Sequence, residues 1–311
     1  MSLSVNTNNS SMVALETLNA TQSQLSATEN AVSTGKKVAT AADNPAAFGI
    51  ASQINGDTQG QAAVNDGLSY ASSVVSSTTS AANNILSVLN QVQEAETSLK
   101  DNDSSSTSLS QVNEELTGYM KEIDTIARDA TTKGVNLLSV GTGDGLGITS
   151  NHISYVTGLQ GDTQTITGFS ASIASDTGVT GTISVLTDAL GLTKASTAGA
   201  DPKSNVFLSG TGSSIAMSDT PAKLIDKVQN AITAMTNVTS KLGANTNMIA
   251  AMSRYGEAVS DDLTSASGAL TDADMSAESA KLTSLQTKQS LAIKSLSIAN
   301  GESQNVLSLF Q

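Results

Sequence analysis

The chain has 311 residues, 15 Lys and Arg against 28 Asp and Glu, a net charge of −13, 3% aromatics, and neither Trp nor Cys. So acidic a balance repels phosphate backbones and argues against nucleic acid as a partner, and the lack of Cys excludes disulfides and thiolate metal sites. With few aromatics, interfaces must be built from Ala, Val, Leu and Ile, giving thin contacts that suit helices lying side by side.

The opening MSLSVNTNNSSMVAL has neither a basic nor an apolar signal region, so no cleaved secretory signal is expected. Residues 1–140 read as helical. Leu15, Leu18, Gln22, Leu25, Glu29 and Val32 recur at three- and four-residue steps, placing them on one helical stripe that stops near Gly35. Pro45 forces Asn44 out of helical geometry, so Asp43-Asn44-Pro45 marks a break and restart. A longer helix carries Val74, Thr78, Ala81, Ile85, Val88, Val92, Ala95 and Leu99 at the same spacing. After the polar connector at 101–108, Leu109, Val112, Leu116, Tyr119, Ile123, Ile126 and Ala130 mark a third. So short a connection predicts an antiparallel hairpin.

The stretch 141–212 changes texture. It holds 13 of the 24 Gly, and HISYVTGL, TQTITGF and GTISVL alternate with turn residues, which predicts a small β-containing insert. From about 213 the helical pattern returns, with one stripe over Ile225, Val228, Ile232, Met235, Thr239, Leu242, Thr246 and Ile249. A second stripe, Leu282, Leu285, Gln289, Ala292, Leu296, Ala299, Ser303, Val306 and Phe310, has the rhythm of a coiled-coil seam, and its helix reads as roughly 45 residues long. Its natural partner is the first helix, which brings the two ends of the chain together. Two thin helices bury too little area to offset their ordering entropy, so the pair is expected to stay loose until other subunits cover it. No apolar run reaches membrane-spanning length. The fold class is therefore mainly α: long helical hairpins and coiled-coil rods formed by both ends, around a small β-containing central insert.

Catalytic chemistry finds no foothold. STGK at 33–36 lacks the earlier Gly and the following Ser or Thr of a phosphate-binding loop, since Asn30 and Lys37 stand there. GTGDGLG reads as a linker rather than a calcium turn. His152 is the only His, so no imidazole pair exists. Glu114-Glu115 and Asp261-Asp262 read as solvated helix faces, and Asn19-Ala20-Thr21 as a chance glycosylation triplet. No enzyme activity, cofactor or metal is expected.

Several blocks carry a resemblance: SVNTN (4–8), STGKKVATAADNPAAFGIA (33–51), VNDGLSYA (64–71) and KGVNLL (133–138) near one end, with LGANTN (242–247), LTDADMSAESAKL (270–282) and QNVLSLF (304–310) near the other. They resemble the two ends of bacterial flagellins, in the right order. The resemblance implies a filament-core coiled coil from 1–44 and 266–311, a helical rod from 45–140 and 213–265, and a surface insert at 141–212. It implies a secreted, extracellular subunit that polymerises with itself and passes through the flagellar type III apparatus with an export chaperone. It also implies meeting the cap and the hook-associated junction proteins. The filament-core seam is then Leu15, Leu18, Leu25 and Val32 against Leu282, Leu285, Ala292, Leu296, Ala299, Val306 and Phe310. Flagellins sensed by the Toll-like receptor carry arginines where this chain has Gln91 and Gln93, with Glu94 retained, so weak or no receptor recognition is expected.

Two rival readings have distinct signatures. A hook-filament junction protein shares the terminal architecture, but the VNDG and QNVLSLF blocks favour flagellin. A Ser/Thr-rich adhesin needs exposed aromatic platforms, and the insert offers only Tyr155, Phe169 and Phe207.

Overall fold

The computed structural model describes residues 8–101, 105–139, 147–169, 186, 190, 205–210 and 215–308, with the side chains of 100, 101 and 302–308 left aside. In chain order the elements are α1 (Asn9–Thr34), α2 (Pro45–Asp101), α3 (Ser106–Asp129), β1 (His152–Val156), β2 (Thr163–Thr167), β3 (Leu208–Ser209), β4 (Ala216–Met217), α4 (Pro221–Thr271) and α5 (Met275–Ser308). They divide into two compact units, one drawn from residues up to Gln59 and from Ser260 onward, the other from Gly60–Val259. The mainly helical fold class, with a few short antiparallel strands at its centre, is the one the periodicity predicts.

Helix ends follow local chemistry. Asn8 caps α1 by accepting from the Ser11 amide at 3.1 Å, and Gly35 ends it at φ 70°, where a Cβ would be strained. Asn44 caps α2 through the Ala47 amide, with Pro45 in the first position, where its missing N–H is harmless. Asp43 organises the preceding loop: its carboxylate accepts from the Ala39 and Thr40 amides and the Thr40 hydroxyl, which holds its pKa below the usual range.

The larger unit is built on α2, α3 and α4. Tyr70 of α2 donates to the Thr132 carbonyl just beyond α3, and the Lys133 ammonium lies 5.5 Å from the same ring. Residues 70 and 132 stand at similar distances on either side of the α2–α3 turn, so the two helices form the expected antiparallel hairpin. Every member of the predicted α2 stripe from Val74 to Leu99 is buried, Ile85 and Val92 completely. Helix α4 approaches α2 closely at Gly256, where a Cβ would fall 2.2 Å from Asn65 Oδ1 and 2.7 Å from Gln61 Nε2.

Two asparagines fasten the non-helical layer to α3. Asn136 donates to the Ala127 and Arg128 carbonyls at the end of α3 and accepts from the Leu138 and Ser139 amides. Asn205 repeats the device: it donates to the Asn113 carbonyl and side chain, and accepts from the Phe207 and Leu208 amides. Each thereby delivers a fully buried apolar residue into the core, Leu137 and Leu138 in one case and Phe207 in the other. Strands β1 and β2 pair antiparallel from His152↔Thr167 to Val156↔Thr163, and β3 pairs with β4.

Two expectations are revised. The last helical zone does not begin at 213: β4 precedes it, and α4 starts at Pro221. The final helix is not a continuous run of about 45 residues. The chain leaves α4 at Thr271, and Asp274 restarts it by capping α5 through the Ser276 and Ala277 amides. Of the predicted strand runs, GTISVL at 181–186 lies outside the described residues apart from Leu186.

Candidate interaction surface

Within the smaller unit α1 lies along α5. At one end Asn8 Nδ2 donates to the Ala299 carbonyl at 2.8 Å and the Ser11 hydroxyl donates to Asn300 Oδ1. At the other end Lys36 and Asp272 form an antiparallel bridge. The Lys37 and Val38 amides donate to the Thr271 carbonyl, and the Ala273 amide donates to that of Gly35. The two helices are therefore antiparallel and clasped at their far end.

The seam between them is thin. Its buried residues are Ala14, Thr21, Leu25 and Thr28 from α1, with Leu285 and Ala299 from α5; Leu18, Val32, Leu282, Ala292 and Leu296 are half-buried along it. Gln22 and Glu29 of the predicted stripe are exposed, and so is its apolar member Leu15. It is 49% exposed, and Ala14 takes the inward position one residue earlier. The seam selects small side chains, which let two helices approach closely, and a reading that follows Leu is led off by one. The side chains of Val306 and Phe310 lie outside the described residues.

Beside the seam, apolar side chains face outward in unusual number: Met12, Val13, Leu15, Leu291, Ile293 and Ile298, with Ile298 72% exposed. A shallow groove lined by Val13, Ala14 and Thr17 of α1 and by Lys288, Leu291 and Ala292 of α5 runs along this flank. Isolated exposed apolar residues need no explanation, but here they recur on both members of the helix pair, and Val13 and Leu291 share the groove. Such an arrangement can bury hydrocarbon against another helix. On α2, Gln91 and Glu94 are exposed and Gln93 is half-buried.

Residues 5–142 match the family model of the bacterial flagellin N-terminal helical region, and residues 225–310 match that of the C-terminal helical region. Flagellin C of Rhizobium meliloti is 31% identical, with 99% of each chain covered. The chain belongs to the bacterial flagellin family. Flagellin FljO of Caulobacter vibrioides is 28% identical across 99% of this chain and 98% of its own, and the flagellin of Brucella melitensis 29% across 99% of both. As a flagellin the chain is a structural subunit of the flagellar filament used for motility, and its place is extracellular. No helix among the described residues is long and apolar enough to cross a membrane. Nothing in these matches favours the hook-associated alternative.

Proposed function

We propose that this flagellin assembles through the α1–α5 pair, with 1–44 and 266–311 serving as the filament core, 45–140 and 213–265 as the rod, and 141–212 as the surface insert. The observation that carries the reading is the set of outward apolar side chains Met12, Val13, Leu15, Leu291, Ile293 and Ile298, with Val13 and Leu291 sharing one groove, beside a seam of small residues. Covering those side chains stabilises by about 25 cal/mol per Å² of apolar surface, which a lone helix pair forgoes. Leu15 then belongs to contacts between copies, while Leu25, Leu285 and Ala299 hold the pair within one copy.

The role is mechanical, with no chemical step. The same apolar flank, uncovered before assembly, is suited to an export chaperone, and the ends of a growing filament to the cap and junction proteins. With Gln91 and Gln93 in place of planar guanidiniums, the segment around Glu94 offers a Toll-like receptor few charged donors.

Electron microscopy of the purified chain after salt-induced assembly, beside a truncation lacking 1–40 and 270–311, tests the reading. Long filaments from the full chain and none from the truncation are expected. Filaments from the truncation would place the assembly surface elsewhere, and short caps from the full chain would favour a junction protein.

A further inference from the structure

The larger unit contains one buried charge that its packing leaves unanswered. Glu96 on α2 is 3% exposed, and neither carboxylate oxygen has a hydrogen-bond partner among the described residues. Elsewhere in this unit the buried Thr78 hydroxyl donates to the Val74 carbonyl at 2.8 Å, and the buried Asp124 is paired with Arg128. A carboxylate that loses its hydration without a partner favours its neutral form. Burial pushes the Glu96 carboxyl up to about 7, and the charge of Lys227 pulls against that rise.

The register of the helices supports this pairing. Helices α2 and α4 run antiparallel, with Asn65 against Gly256 and Asn55 against Ser267, whose hydroxyl donates to Asn55 at 3.0 Å. Counting along both helices from those contacts places Lys227 opposite Glu96. Lys227 is half-buried, and Leu224 and Val228 beside it are fully buried, as are Val92 and Leu99 one turn either side of Glu96. Among the described side chains, the surrounding charges are otherwise engaged or turned away, Asp226 beside Lys227 being exposed. Lys223 pairs with Asp219, which also feels Lys227, while Glu94 on α2 and Glu114, Glu115 and Glu122 on α3 are exposed.

We propose that Glu96 and Lys227 form a proton-operated latch between α2 and α4. With Glu96 neutral the helices meet on an apolar contact. When Glu96 releases its proton to solvent, the carboxylate draws the Lys227 ammonium into the interface and the local packing changes. The folded chain binds more protons than the unfolded one between the ordinary Glu value of 4.5 and about 7. The contribution of this group to stability is therefore greatest below pH 4.5 and declines as pH rises to about 7. The rod thus packs differently on the two sides of neutral pH.

The test is a pH titration of the full-length subunit, kept below its assembly concentration. Its probes are the methyl resonances of Val92, Leu99, Leu224 and Val228, followed together with the Glu96 carboxyl carbon. The expected result is a one-proton midpoint near 7 shared by the carboxyl and the methyls, lost from the methyls in Glu96→Gln, and raised in Lys227→Met. A Glu96 carboxyl titrating in the ordinary range would overturn the proposal, and the wild-type measurement alone decides that. Methyls that still titrate in Glu96→Gln would also overturn it, as would an unchanged midpoint in Lys227→Met.

Discussion

The two units of this flagellin contrast in how they use apolar surface. In the larger one, Leu68, Ile85, Leu89, Leu116, Met120 and Ile123 are completely buried, and three helices share a core with the strands laid over it. In the smaller one, the α1–α5 seam relies on Ala14, Thr21, Thr28 and Ala299 as much as on Leu25 and Leu285, and the larger apolar side chains face outward. One unit finishes its packing within the chain. The other leaves large apolar side chains uncovered, which the proposed assembly would bury against neighbouring subunits.

The contrast can be broken most severely at the seam. Leu285→Asp puts an unpaired charge at a position 3% exposed. It should abolish polymerisation in seeded-growth assays while leaving the main thermal transition of the larger unit in place. Leu116→Ala attacks the other side. It should cost about 2–5 kcal/mol in denaturant unfolding followed through α3, and loss of filaments in that variant should track the loss of fold. Asn136→Ala strands the Leu138 and Ser139 amides and should cost about 1–3 kcal/mol, read as faster hydrogen exchange around 136–139. The smallest effect on the monomer is the sharpest test. Leu15→Ser should leave subunit stability within about 0.5 kcal/mol yet slow filament growth. Equal growth rates would return Leu15 to a bystander role.

How much was legible in the sequence divides along the same line. The α2 stripe could be read because its burial depends on large apolar residues at helical spacing, and each of them from Val74 to Leu99 is indeed inside. The α1 stripe could not be read fully, because the inward positions Ala14, Thr21 and Thr28 carry no strong hydrophobic signal while the outward Leu15 does. The restart at Asp274 was marked by a capping side chain that periodicity, which scores apolar spacing, passes over. Strands of two residues such as Leu208–Ser209 have no alternation to detect. Asn136 and Asn205 left only turn-like residues ahead of apolar pairs, and that their amides bond to α3 depends on distant chain. Glu96 stands among polar residues in the sequence, and its burial without a partner depends on packing that the sequence does not display.

The clasp at Gly35 and Thr271 also bears on the order of folding. The seam it closes joins residues as far apart as Asn8 and Ala299, 291 positions in sequence. Closing so long a loop from an unfolded chain is slow, because the entropy of closure is lost before any contact is gained. Once α2 and α4 have paired, the ends they carry are already neighbours, and the remaining search is short. The pairing of α2 with α4 at Asn55 and Ser267 thereby shortens the search for the seam. Because α1 packs along α5, its seam cannot close until residues 275–299 have arrived.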